Sequence, residues 1–130
     1  MSGLFIKKDD TINVKIYLAQ NQKNETIFAI KKEEMVQQGI KEEDIKEETI
    51  EFRRPSYSDN VQIMNKAVNV QDGNVHIDPV VLRYNRFCTL LKAWTLKDKD
   101  GQPIPANTRF INEMNPDFAN LILDELENFI

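Results

Sequence analysis

The hydrophobic period changes once along the chain, at Pro55, and that change limits what the chain can fold into. Before it, TINVKIYL (residues 11–18) alternates Ile12, Val14, Ile16 and Leu18 with Thr11, Asn13, Lys15 and Tyr17. Successive strand side chains point to opposite faces, so this is the pattern of a half-buried β-strand. AQNQKNE then supplies a turn before TIFAI (26–30), which makes the two runs an antiparallel hairpin with a loop of about six residues. KKEEMVQQG reads as about two turns of helix at most, ended by Gly39, because glycine accepts the left-handed conformation just past a helix end. TIEFRRP gives a third strand, in which Ile50 and Phe52 alternate with Glu51 and Arg53 until Pro55, which lacks the N–H that a ladder needs.

Beyond Pro55 the period is about 3.6, that of an amphipathic helix. In SYSDNVQIMNKAVNV, Ser58 is the expected N-cap, with Val61, Met64 and Val68 on one face and Ile63 and Ala67 beside it; QDGN (71–74) then breaks the helix. Asp78-Pro79 is a cap followed by the proline favoured at the first helical position. It opens a helix whose apolar face, Val80, Val81, Tyr84, Phe87, Cys88, Leu91 and Trp94, runs to the tryptophan. Asn115-Pro116 repeats the device, and Phe118, Ile122, Leu126 and Phe129 lie along one side of the last helix. The expected fold class is therefore α+β, a small N-terminal antiparallel sheet of about three strands followed by about three helices. A single domain spanning 1–130 is expected, β-rich over 1–55 and helical over 56–130, which at this length buries roughly 65–70% of its unfolded surface.

Charge narrows the functional classes. The net charge is −4, with eight acids between Glu33 and Glu51 against Lys41 and Lys46. Seven bases between Arg53 and Lys97 face Asp59, Asp72 and Asp78, a dispersed set on an acidic chain rather than the clustered basic face that nucleic acid requires. The apolar runs are too short to span a bilayer, and MSGLFIKKDD has no signal-peptide apolar region, so a soluble cytoplasmic protein is expected. One cysteine and one histidine, Cys88 and His76, do not make a structural zinc site.

The stretch AWTLKDKDGQPIP (93–105) carries the D-x-D-G spacing of a calcium loop. Aligned as such, its first and twelfth positions would be Leu96 and Asn107, where the loop needs carboxylates. It reads instead as a turn at Asp98 to Gly101 followed by an extended Pro103-Ile104-Pro105 connector. His76, between Val75 and Ile77, reads as a surface or edge histidine, and Cys88 as a small core residue. No nucleophile elbow, phosphate-cradling glycine loop or H-E-x-x-H motif is present. The expectation is a protein that is not an enzyme, with no catalytic residues, no metal and no cofactor.

Candidate partner-binding residues fall into two groups. Arg53, Arg54 and Tyr57 form a basic and aromatic constellation of the composition that interface hot spots favour; the two arginines could equally pair with the acids of 42–51. The last helix has more apolar surface than one stripe needs, adding Leu121, Leu123 and Ile130 to Phe118, Ile122, Leu126 and Phe129. It is either buried centrally or partly docked on another chain.

The order EFRRPSYSD, then a helix, then Asp78-Pro79 and a helix ending in LLKAW, then D-x-D-G-x-P-I-P, then NPDFANLILDEL, resembles the small tail assembly chaperones of long-tailed bacteriophages over residues 49–130. Arg54, Pro55, Trp94, Gly101, Pro105 and Pro116 carry the resemblance. It implies a small acidic protein of the host cytoplasm, without catalytic residues, that coats the tape measure protein and recruits tail tube subunits. Its implied partners are tail proteins and further copies of itself, not nucleic acid or membrane. Arg53, Arg54, Tyr57, Trp94, Phe118, Leu121, Ile122 and Phe129 are the candidate contact residues. The alternative is a structural component retained in the virion, such as a connector, tail or baseplate subunit.

Overall fold

The computed structural model describes residues 3–130; the first two residues of the N-terminal stretch read above lie outside it. β1 (Thr11–Gln20) pairs antiparallel with β2 (Thr26–Ala29) on one side and β3 (Lys46–Arg53) on the other, and a fourth strand, β6 (Leu91–Trp94), pairs antiparallel with β3. The sheet order is β2-β1-β3-β6. The alternation in β1 does what its period demands. Ile12, Val14 and Ile16 are buried opposite Phe52, Ile50 and Glu48 of β3, while Asn13 and Lys15 are exposed.

Toward its end β1 is covered on both faces. α1 (Lys32–Gln37) lies over the side opposite the main core, where Met35 packs with Ala19, Ala29, Tyr17 and Ile27. Its end is the glycine-terminated motif expected at Gly39 (φ 92°), with Gly39 N–H donating to Val36 O and Ile40 N–H to Met35 O. The β1–β2 loop is closed by Asn21, whose side-chain oxygen accepts from the N–H groups of Lys23 and Glu25.

α2 (Tyr57–Ala67), α3 (Pro79–Leu90), α4 (Thr108–Asn112) and α5 (Pro116–Glu127) supply the rest of the core. Ile63, Phe87, Leu90, Ile111, Ile122, Leu123 and Leu126 form one buried cluster with Ile12, Val14, Ile16, Ile50 and Phe52, and Phe52 meets Phe87 edge to face with ring centroids 5.4 Å apart. The mixed α+β class holds, with more strands and helices than the sequence suggested.

Four expectations are corrected. The N-cap of α2 is Ser56 rather than Ser58, because Ser56 and Asp59 complete a capping box: Asp59 N–H donates to Ser56 Oγ at 3.2 Å and Ser56 N–H to Asp59 Oδ2 at 2.9 Å. The α2 face turned to the core carries Asp59, Ile63 and Ala67, which leaves Val61, Met64 and Val68 outside. The helix that begins at Pro79 stops at Leu90, and LKAW is strand β6, since the outer edge of β3 offers ladder partners that another helical turn would leave unpaired. Residues 56–130 are thus not purely helical. They also contain a separate two-stranded sheet, β4 (Val68–Gln71) with β5 (Asn74–Ile77), inside the segment read as the end of a helix and its break.

Candidate protein-binding surface

The β4–β5 hairpin is built by its turn. Asp72 (φ 52°) and Gly73 (φ 78°) both sit at positive φ, the backbone of a type I′ turn, whose twist matches that of two flanking strands. The register pairs Val68 with Ile77 and Val70 with Val75, so all four share one face, while Asn69, Gln71, Asn74 and His76 share the other. Among the described residues no element covers the apolar side: Val68, Val70, Val75 and Ile77 are 38%, 68%, 69% and 50% exposed. The hairpin is anchored at its base, where Asp78 N–H donates to Ala67 O at 3.0 Å and the Asp78 carboxylate caps α3 through the N–H groups of Val80 and Val81.

Val68 belongs to two patterns at once. It is the last of the helical series Val61, Met64, Val68 (i, i+3, i+7) and the first residue of the hairpin face. Val61 and Met64 are 40% and 39% exposed, so one apolar strip runs from α2 onto the hairpin. A two-stranded hairpin with an open apolar face is marginal alone in water, which makes the strip the candidate surface for covering by another chain.

The residues expected to meet a partner are dispersed. Arg53 is held by Asp59, and Arg54 Nη1 donates to the carbonyl of Phe129 at 3.1 Å, so neither arginine pairs with the acids of 42–51. The hydrogen bond from Arg53 holds the Asp59 carboxyl below its ordinary range, against the opposing effect of burial, and the Ser56 N–H acts in the same direction. Tyr57 is 86% exposed. Trp94 donates from Nε1 to Ile104 O, which fastens the connector to the sheet. Phe118 packs edge to face on Phe28 with centroids 5.1 Å apart. Ile122 is fully buried, Leu121 half-buried and Phe129 half-exposed, which places the last helix centrally rather than on the outside. Among the described residues, Arg54 and Phe129 are the one pair in this set joined by a side-chain hydrogen bond.

In the connector, Asp98 spends its carboxylate on its own turn. Oδ1 accepts from Asp100 N–H and Gln102 N–H, both at 2.9 Å, while Gly101 takes φ 78°. His76 lies exposed in β5, and Cys88 is half-buried against the main core. Among the described residues, no three His, Cys, Asp or Glu side chains form a group able to hold a metal ion, and no helix is long and apolar enough to cross a membrane.

Two features escaped the sequence reading. The hairpin had a legible signal, since V-x-V and V-x-I flank an Asp-Gly dipeptide at hairpin spacing. The second is an ion-pair network that ties α3 to α5. Arg83 reaches Asp124 at 2.6 Å, Glu127 at 3.2 Å and Asn120 Oδ1 at 3.2 Å, and Arg86 reaches Glu127 at 2.6 Å. This network is a clamp between helices: Arg83 is satisfied by Asp124, Glu127 and Asn120, while Arg86 pairs with Glu127 through Nη1 and keeps a buried Nε without a partner among the described residues. Compared with protein-family models, curated proteins and solved structures, the chain matches none.

Proposed function

We propose that the protein is a non-enzymatic tail assembly chaperone of a long-tailed bacteriophage. Acting in the host cytoplasm, it covers apolar, helix-prone segments of a tail protein, the tape measure or the tail tube subunit, until they assemble. The observation that carries this reading is the exposed strip of Val61, Met64, Val68, Val70, Val75 and Ile77. The order of caps and connector that resembles this family supplies the phage context.

The strip suits transient binding. Covering six side chains that are roughly half exposed contributes about 5–8 kcal/mol of gross hydrophobic free energy. Association itself costs at least about 4 kcal/mol, so one copy holds its partner weakly and releases it; several copies along one long partner would act by avidity. β-branched side chains on a flat ribbon also select little by shape, as a protein that coats many segments requires.

The test is co-expression with the tape measure protein of the same phage. A chaperone keeps that protein soluble and co-purifies with it, and failure of both overturns the reading. Mass spectrometry of finished particles separates the alternative, since a virion component remains in them and a chaperone does not.

A further inference from the structure

Among the described residues, the edge of β2 that faces away from β1 pairs with no other strand. Asn21 N–H donates to Glu25 O at 2.9 Å, which makes Asn21 and Glu25 a hydrogen-bonded pair of the β1–β2 ladder. Bonded pairs alternate along an antiparallel ladder, so Ile27 and Ala29 turn their backbone groups toward β1. The N–H and C=O groups of Thr26 and Phe28 therefore point away from the sheet. At the opposite edge the chain blunts itself: beyond β6, Ile104 N–H donates to Leu96 O, and two prolines flank that contact.

A groove of about 420 Å³ runs along β2, walled on one side by Glu34 and Met35 of α1 with Gln38 just past its end, and on the other by Asn115 and Asp117 at the start of α5. Glu34 and Asp117 are its charged lining residues, one on each wall, and both are acidic. A strand laid on this edge would place alternate side chains against the two walls. We propose that β2 accepts an extended segment of a partner protein with Lys or Arg at two adjacent positions between apolar residues, with backbone bonds to Thr26 and Phe28 and the two cations on opposite walls, at Glu34 and Asp117. A second copy of this chain is disfavoured as occupant, because pairing β2 with β2 would bring the acidic walls of two copies together. The inference does not depend on the proposed function, since it uses neither the apolar strip nor the phage context.

The test uses a blocked peptide of about eight residues with a central Lys-Lys pair flanked by valines, titrated to about millimolar concentration while backbone amides are followed by NMR. The expected result is shifted, exchange-protected amides at Thr26 and Phe28, with binding weakened severalfold when glutamate replaces lysine. Thr26→Pro removes an outward N–H that the ladder does not use, so it lowers affinity about fivefold while the urea midpoint stays in place. Glu34→Lys, an independent surface change, also weakens the lysine peptide. No change at Thr26 and Phe28, equal binding of the glutamate peptide, or concentration-dependent self-association through β2 would each overturn the proposal.

Discussion

Replacing Asp59 with asparagine tests how the β part is joined to the helices. The Asp59 side chain is only 12% exposed, and Oδ2 accepts from both the Ser56 N–H and Arg53. Asparagine keeps an acceptor oxygen but loses the charge: the Ser56 bond falls from about 1.5–3 kcal/mol to the roughly 1 kcal/mol of a neutral one, and the Arg53 bond loses its ion-pair partner and keeps only the guanidinium charge. Arg53 is 40% exposed and regains water, which offsets part of the loss. The expected destabilisation is about 1–2 kcal/mol, or a fall in Tm of roughly 3–7 °C for a chain of this size. The pH dependence has a definite sign. Arg53 lowers the folded pKa of Asp59, so its contribution is present above the unfolded value of about 3.9 and is lost as pH falls through the folded one. Urea unfolding of both proteins at neutral pH and at steps into the acid range should show a gap that closes on acidification. Coincident midpoints at neutral pH, or a gap unchanged in acid, would refute the capping argument.

Other consequences follow from burial and backbone. Ile122→Ala should cost about 2–5 kcal/mol, because it opens a cavity under the sheet, whereas Phe129→Ala should cost less than about 1 kcal/mol; equal urea midpoints would contradict the central placement of the last helix. Trp94→Phe removes the donor to Ile104 O and should cost roughly 1–2 kcal/mol, with faster limited proteolysis in the 98–101 turn as the local readout. Gly73→Val forces a β-branched residue to φ 78° at about 1–2 kcal/mol; hydrogen exchange in β4 and β5 should accelerate while Phe87 and Ile122 amides keep their protection.

Where local chemistry decides the structure, the sequence was legible. β1 follows from its alternation, α3 and α5 begin at their cap-proline pairs, and Gly39 ends α1. It was not legible where a distant element decides. Leu91 and Trp94 continue the helical spacing of α3, and only the open edge of β3 turns them into a strand. Met35 reads as part of a weak helix until the β1–β2 hairpin offers Ala19 and Ala29 as partners on the second face. Arg83 and Arg86 have no visible meaning until packing sets Asn120, Asp124 and Glu127 beside them. The hairpin is a different case, since Val61, Met64 and Val68 also fit a helix and that period masked the Asp-Gly signal four residues on. The candidate partner residues were chosen for composition, and the intramolecular contacts of Arg53, Trp94 and Phe118 depend on elements distant in sequence or on turns that composition does not show.

The strip itself can be tested with Val70→Thr and Val75→Thr together, which keep β-branching and shape but take away the apolar surface of two side chains 68% and 69% exposed. Their loss should weaken binding by about 1–3 kcal/mol, roughly five- to a hundredfold, and leave the urea midpoint within about 0.5 kcal/mol. The measurement is the soluble yield of the tape measure protein co-expressed with the original chain or with the double variant. The strip predicts that the original keeps it in solution and the folded double variant does not; equal solubility with both would contradict it.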